Sequence, residues 1–229
     1  MMATNYYDGI GVLVLTRVTP VIKAMFGVFA LDEDYPGREM ASIAQISETD
    51  EPRWSGVLFG LEDLARQLGI PVPDREWLSL TALLELLAPH FGANEKAEFE
   101  NLLRHHEFED VVDLRSLFLL ATCFDDGHGL TAIKFEGSWR CDESLLSEFG
   151  GASYYLSREV RLIGLSRQAL LLGSQLRDAL QIYDVKRASD LIAQETTNLL
   201  AGIRNEEFRM AVLQRVAERL SQTPVIGDI

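Results

Sequence analysis

The chain has 229 residues, 47% apolar and 24% charged, with a mean hydropathy of +0.03. That profile excludes disordered, collagen-like and low-complexity classes and leaves room for one large domain or two small ones. Two cysteines exclude a disulfide scaffold and a four-cysteine zinc module, and a net charge of −14 argues against binding a nucleic-acid backbone, which needs Lys and Arg to neutralise phosphates.

Residues 9–30 are the most apolar stretch, but Arg17, Pro20 and Lys23 interrupt it, so no uncharged run long enough to span a bilayer remains. Met1–Gly9 has no Lys or Arg and contains Asp8, where an export signal needs a cationic start. A second apolar run, 114–124, is too short to span and contains Arg115. The expectation is a soluble, cytoplasmic protein of bacterial type, with Cys123 and Cys141 as free thiols in a reducing compartment.

The β-branched and aromatic content of 11–15, 24–31 and 40–46 predicts three strands, with Pro20 separating the first two. Asp32-Glu33-Asp34-Tyr35-Pro36-Gly37 predicts the turn of a hairpin between the last two, because Pro presets φ and Gly admits positive φ. A helical middle follows. Residues 58–68 form one helix ended by Gly69, and Asp74 caps a second with Trp77, Leu80, Leu83, Leu84 and Leu87 inward, ended by Pro89 and Gly92. Asn94 caps a third, with Phe99, Leu102 and Leu103 as apolar residues. Strands are then predicted at 117–124, 130–139 and 152–163, the first two joined by Asp125-Asp126-Gly127-His128-Gly129. This second hairpin loosely resembles the first, as a duplicated unit would.

The last third reads as three helices. Leu165, Ala169, Leu172, Leu176, Leu180 and Tyr183 make a stripe on the first, opened by Ser166. Asp184 caps the second, with Ala188, Ile192, Leu199 and Ile203 inward, and Phe208, Val212, Val216 and Leu220 mark the third. The expected fold is α+β: antiparallel hairpins in one or two sheets with connecting helices (1–164), then a three-helix segment (165–229) that docks on the sheet region or on a partner.

Residues 1–150 hold 26 Asp and Glu against 11 Lys and Arg, hence −15, whereas residues 151–229 hold 9 against 10, hence +1. An acidic region of this kind either solubilises the protein or complements a basic partner. Asp32, Glu33 and Asp34 in the first turn, and Asp50 and Glu51 beside Trp54, are the candidate binding residues, with Trp54 as an interface anchor.

The most chemistry-like cluster is Asp125, Asp126 and His128, two carboxylates and an imidazole suited to holding a divalent cation or to acid–base work, in residue types that also build turns. His105 and Glu109 would share a helix face, although no His lies four residues from another. Cys123 with His128 makes a nucleophile–base pair without a third orienting group. Phosphate-loop, dinucleotide and G-x-S-x-G patterns are absent, and no cofactor is expected. The leading expectation is a non-enzymatic protein-interaction module (an adaptor, inhibitor or immunity-type protein) whose acidic surface meets another protein. A metal-dependent hydrolase or nuclease built on Asp125, Asp126 and His128, and a structural subunit docking through the tail helices, are the alternatives.

Overall fold

The computed structural model describes residues 5–46, 51–73, 78–141 and 149–222. The fold is α+β. Strands β1 (Asn5–Val14), β2 (Asp32–Pro36), β3 (Met40–Gln45), β4 (Ala132–Cys141), β5 (Gly150–Ser157) and β6 (Arg161–Leu165) form one antiparallel sheet in the order β2-β3-β1-β4-β5-β6. The central strand β1 sets Gly11 opposite Ile43 on one side and Phe135 on the other. Strand alternation then sends Leu13, Ile43, Ile133 and Phe135 to the buried face and leaves Ile10 exposed on the opposite one.

The chain divides into two compact units, Met1–Leu156 and Ser157–Ile229, so β6 belongs with the tail helices. Residues 151–156 carry no charged side chain, so the −15 and +1 apply unchanged to the two units.

In the first unit the buried sheet face shares one hydrophobic core with α1 (Pro20–Phe26), α2 (Trp54–Gln67), α3 (Leu80–Phe91), α4 (Ala97–His105) and α5 (Leu114–Cys123). Phe26, Trp54, Leu61, Leu83, Leu84, Leu87, Leu117 and Phe124 fill the core, with the Phe124 ring 5.3 Å from Phe91 and 5.5 Å from Phe99.

Two segments expected as strands are helices. Residues 24–31 fall in α1 and a following 3-10 turn, Gly27–Phe29. Thr19 caps α1, Pro20 occupies its first turn, and Val21, Ile22, Met25 and Phe26 are all buried. Residues 117–124 fall in α5, whose N-terminus is capped by Asp113 Oδ1 accepting from Ser116 N at 2.8 Å. A helix buried on more than one side has no polar face, so its apolar run imitates a buried strand.

The first hairpin is displaced. Asp32–Pro36 is itself the edge strand, and the chain reverses at Gly37, Arg38 and Glu39, all at positive φ. Residues 125–129 join α5 to β4, so this segment is helix–turn–strand and not a hairpin. Residues 152–163 split into β5 and β6 where Ser157 Oγ accepts from Val160 N at 2.9 Å and turns the chain. Ser79 caps α3 through Ala82 N, Pro89 lies inside that helix, and Gly92 at φ +64° closes it; Asp74 and Trp77 lie outside the described residues. Asn94 sits in a 3-10 turn, Ala93–Glu95, ahead of α4 rather than capping it.

The second unit continues from β6 into α6 (Ser166–Gln181), α7 (Val185–Ala201) and α8 (Glu206–Gln222). Helices α6 and α7 pack on each other. Asp184 caps α7 by accepting from Arg187 N at 2.9 Å, and Asn205 caps α8 by accepting from Phe208 N at 2.8 Å.

Candidate functional site

The Asp125–Gly129 turn is built by its own polar groups. Asp125 Oδ1 accepts from Gly127 N at 2.9 Å, and Gly127 and Gly129 have φ of +87° and +61°, values that L side chains rarely adopt. A Cβ on Gly129 would collide with the Thr16 hydroxyl. His128 is 1% exposed: its Nδ1 accepts from Leu130 N at 2.8 Å and its Nε2–H donates to Ala121 O at 3.1 Å, which fixes one neutral tautomer. Asp126 turns the other way, taking the Thr19 hydroxyl at 2.6 Å and Val21 N at 3.2 Å. It caps the start of α1 from more than a hundred residues away in sequence.

Asp126 is therefore committed to α1 and both His128 nitrogens to the backbone, while Asp125 Oδ1, which accepts from Gly127 N, lies 3.7 Å from His128 Nε2. Among the described residues no group of three or more His, Cys, Asp or Glu is disposed to hold a metal ion. The Cys123–His128 pair does not form either. Cys123 is fully buried with Sγ 3.8 Å from Glu98 Oε1, while both His128 nitrogens bond the backbone. The Cys141 side chain lies outside the described residues. His105 and Glu109 do not share a helix face, because α4 ends at His105.

Asp32, Glu33 and Asp34 are exposed along β2, the edge of the sheet. Asp32 Oδ1 accepts from Asp34 N at 2.9 Å and Tyr35 N at 3.2 Å, and Glu33 pairs with Lys23 at 2.8 Å. A row of carboxylates on an edge strand discourages a second strand from pairing there, which gives this acidity a structural role of its own. Glu51 lies 3.6 Å from Arg53; Asp50 lies outside the described residues.

Trp54 is not a surface anchor. It is 2% exposed and meets Phe108 and His106 edge-on, with centroids 5.0 and 5.2 Å away. Around it lies a cluster that sequence reasoning missed. His106 Nδ1 accepts from Phe108 N at 2.9 Å, and Nε2 donates to Asp113 Oδ2 at 2.9 Å. Burial alone raises the Asp113 carboxyl, but the bonds from Ser116 and His106 outweigh it and hold the group below its ordinary value. Trp54 N donates to Asp110 O at 3.1 Å and Val112 N to Pro52 O at 2.9 Å, so the α4–α5 loop is pinned to the start of α2. The Asp113-x-x-Ser116 spacing was the available signal, a capping pattern overlooked inside an apolar run.

The tail helices depart furthest from expectation. Ile192 and Leu199, expected inward, are exposed, and Leu191 and Leu200 take the more buried positions. On α8, Val212 and Val216 are half-buried while Phe208 and Leu220 are exposed, because a four-residue spacing rotates about 40° per step and leaves any one face. Tyr183, expected in the α6 stripe, is 85% exposed. Among the described residues, fourteen of the twenty-one exposed large apolar side chains lie in the second unit, so it leaves more of them uncovered than the first.

Comparison of the chain with protein-family models, curated proteins and solved structures returns no match, so function has to be argued from these surfaces. Among the described residues no helix is long and apolar enough to cross a membrane.

Proposed function

We propose that the chain is a non-enzymatic, cytoplasmic protein-interaction module, in which a folded acidic unit is carried by a helical unit that docks on protein. The observation that supports it most is the apolar surface of α6, α7 and α8, where α8 buries none of its seventeen residues. A helix of that length is marginal in water unless its apolar side is packed. The second support is the −15 of the first unit, which speeds encounter with a basic partner over the same distance that it repels acidic ones. Asp125, Asp126 and His128 all take part in turn or cap bonds, as structure-making side chains do.

The test is a tagged pull-down of the full chain from nuclease-treated lysate, washed at low and high salt, with a differently tagged second copy present. A stoichiometric protein, either the second copy or another chain, is the expected result. Association through the acidic unit slows steeply with salt, whereas retention through the apolar helices does not. A bait that retains neither a second copy nor another protein would overturn the reading.

A further inference from the structure

We infer that His106 is a proton-operated latch on the α4–α5 loop: neutral, it holds Phe108 against Trp54, and protonated, it lets Phe108 go. The ring does two different things at once. Its Nδ1 lone pair accepts from Phe108 N at 2.9 Å, and its Nε2–H donates to Asp113 Oδ2 at 2.9 Å. The neutral ring with its hydrogen on Nε2 meets both demands, whereas an imidazolium has two donors and no acceptor. With both nitrogens occupied, the ring has none to offer a substrate or a metal ion. A proton therefore acts on the loop.

This loop needs to be held. Phe108 and Asp110 have φ of +53° and +56°, a conformation that bulky L residues rarely adopt. Backbone in such a conformation persists where its surroundings fix it. Asp110 O is fixed by Trp54 N at 3.1 Å and Val112 N by Pro52 O at 2.9 Å, which leaves the Phe108 end to His106. Three rings close over that bond: His106 and Phe108 have centroids 4.4 Å apart, and Trp54 meets them at 5.2 and 5.0 Å. Phe108 is 7% exposed, so its release draws an aromatic ring out of the core and uncovers Trp54.

The side chain of His106 is 24% exposed, so water can deliver the proton. The proton adds to the Nδ1 lone pair and sets an N–H against the Phe108 N–H, which ends that bond. The Nε2–H bond to Asp113 survives as a pair of opposite charges. Asp113 remains a carboxylate through this change, because its own carboxyl titrates below the ordinary value. It is the charged group that bonds His106 from α5; the Glu51–Arg53 pair precedes α2, Arg104 and His105 end α4, and Glu107, Glu109 and Asp110 share the loop. His128 shows by contrast what an unswitched version looks like. Its Nδ1 likewise accepts from the N–H two residues on, but it is 1% exposed, its Nε2–H donates to a neutral carbonyl, and Asp125 stands off at 3.7 Å.

A pH titration of the ¹⁵N-labelled full chain by NMR, from about pH 8 to pH 5 where imidazoles titrate, tests this. As the His106 ring takes up its proton, the Phe108 amide should shift in the same step. Its exchange, corrected for the intrinsic effect of pH, should rise roughly tenfold, as loss of one hydrogen bond allows. The Trp54 indole resonance should follow the same curve. His106→Asn keeps an acceptor near the Nδ1 position and cannot titrate, so it should abolish the step at Phe108 and Trp54, while His105→Asn leaves it intact. A His106 ring that titrates while Phe108 and Trp54 stay fixed overturns the proposal, as does one that takes up no proton while the chain is folded. A step that persists in His106→Asn overturns it equally; were that variant not to fold, the wild-type ring and amide curves decide alone.

Discussion

The two units set their helices in opposite surroundings. Helix α5 buries seven of its ten residues and α1 buries five of seven, whereas α6, α7 and α8 bury Ala179 and Leu200 between them. Local rules are obeyed in both places: Asp113 caps α5 as Asp184 caps α7, each by a carboxylate accepting from a backbone N–H three residues on. What differs is the surface on the far side. In the first unit α1–α5 and the buried sheet face share one core, so the apolar side chains of α1 and α5 find neighbours within the unit. In the second, α6–α7 and α7–α8 contacts cover part of the helices, and many of the large apolar side chains face water. Amphipathicity sets which face of a helix is to be covered, and the remainder of the fold decides whether the chain covers it alone.

Truncating side chains on either side of this contrast gives the largest expected effect. Phe26→Ala or Leu84→Ala, both fully buried, should cost about 3–5 kcal/mol in urea unfolding, because transfer and cavity terms add. Leu199→Ala should stay within about 0.5 kcal/mol at concentrations where the chain is monomeric. An equal cost at both places would mean that the chain covers its own tail.

The next effect sharpens the account of the Asp125–Gly129 turn. Asp126→Ala removes the acceptor of Val21 N and of the Thr19 O–H while Thr19 Oγ1 keeps its cap bond from Ile22 N, a cost of about 1–3 kcal/mol. Thermal unfolding of the wild type should not shift with added Mg²⁺, Mn²⁺ or Zn²⁺; a metal-dependent rise in Tm lost in Asp126→Ala would restore the turn as a metal site.

A smaller effect comes from the Asp113 cap, where Asp113→Ala should cost about 1 kcal/mol. Because the folded carboxyl titrates below its unfolded value, its contribution is complete above the unfolded value and is lost as pH falls through the folded one. Asp113→Asn should therefore flatten the acid limb of a stability–pH curve. At the alkaline end burial, reinforced by Tyr154, raises the Tyr7 phenol, so stability is complete below the unfolded value and declines as pH rises through the folded one. Tyr7→Phe should remove that decline. Smallest of all is the exposed Lys23–Glu33 pair, for which a double-mutant cycle should give less than about 1 kcal/mol, screened by salt.

The sequence was most legible where one physical signal stood alone. The helix of residues 58–68, the Asp184 cap and the α+β class needed only periodicity and a short polar residue at a boundary. It misled where two signals competed. Residues 24–31 and 117–124 are rich in β-branched and aromatic types because their helices are wrapped in core, and the decisive marks were the Thr19-Pro20 and Asp113 caps in front of them. Asp32–Pro36 looks like a turn by residue type, yet it pairs with β3, and only sheet order reveals it as an edge. At the turn candidates, composition named Asp125, Asp126 and His128 correctly as polar structure-makers but could not show that Asp126 reaches Thr19 and Val21. The tail stripe was visible. Its exposure was not, since spacing reports that a face is apolar without reporting what lies against it.

Hydrogen exchange of the full chain at low and high protein concentration tests the central claim most directly. The account predicts that, at the lowest concentration, amides of residues 185–201 exchange far faster than those of the core helices of the first unit, because most side chains of that helix face water. Strong protection of that helix at the lowest concentration, unchanged at the highest, would mean that its apolar face is already covered within one chain and would contradict the account.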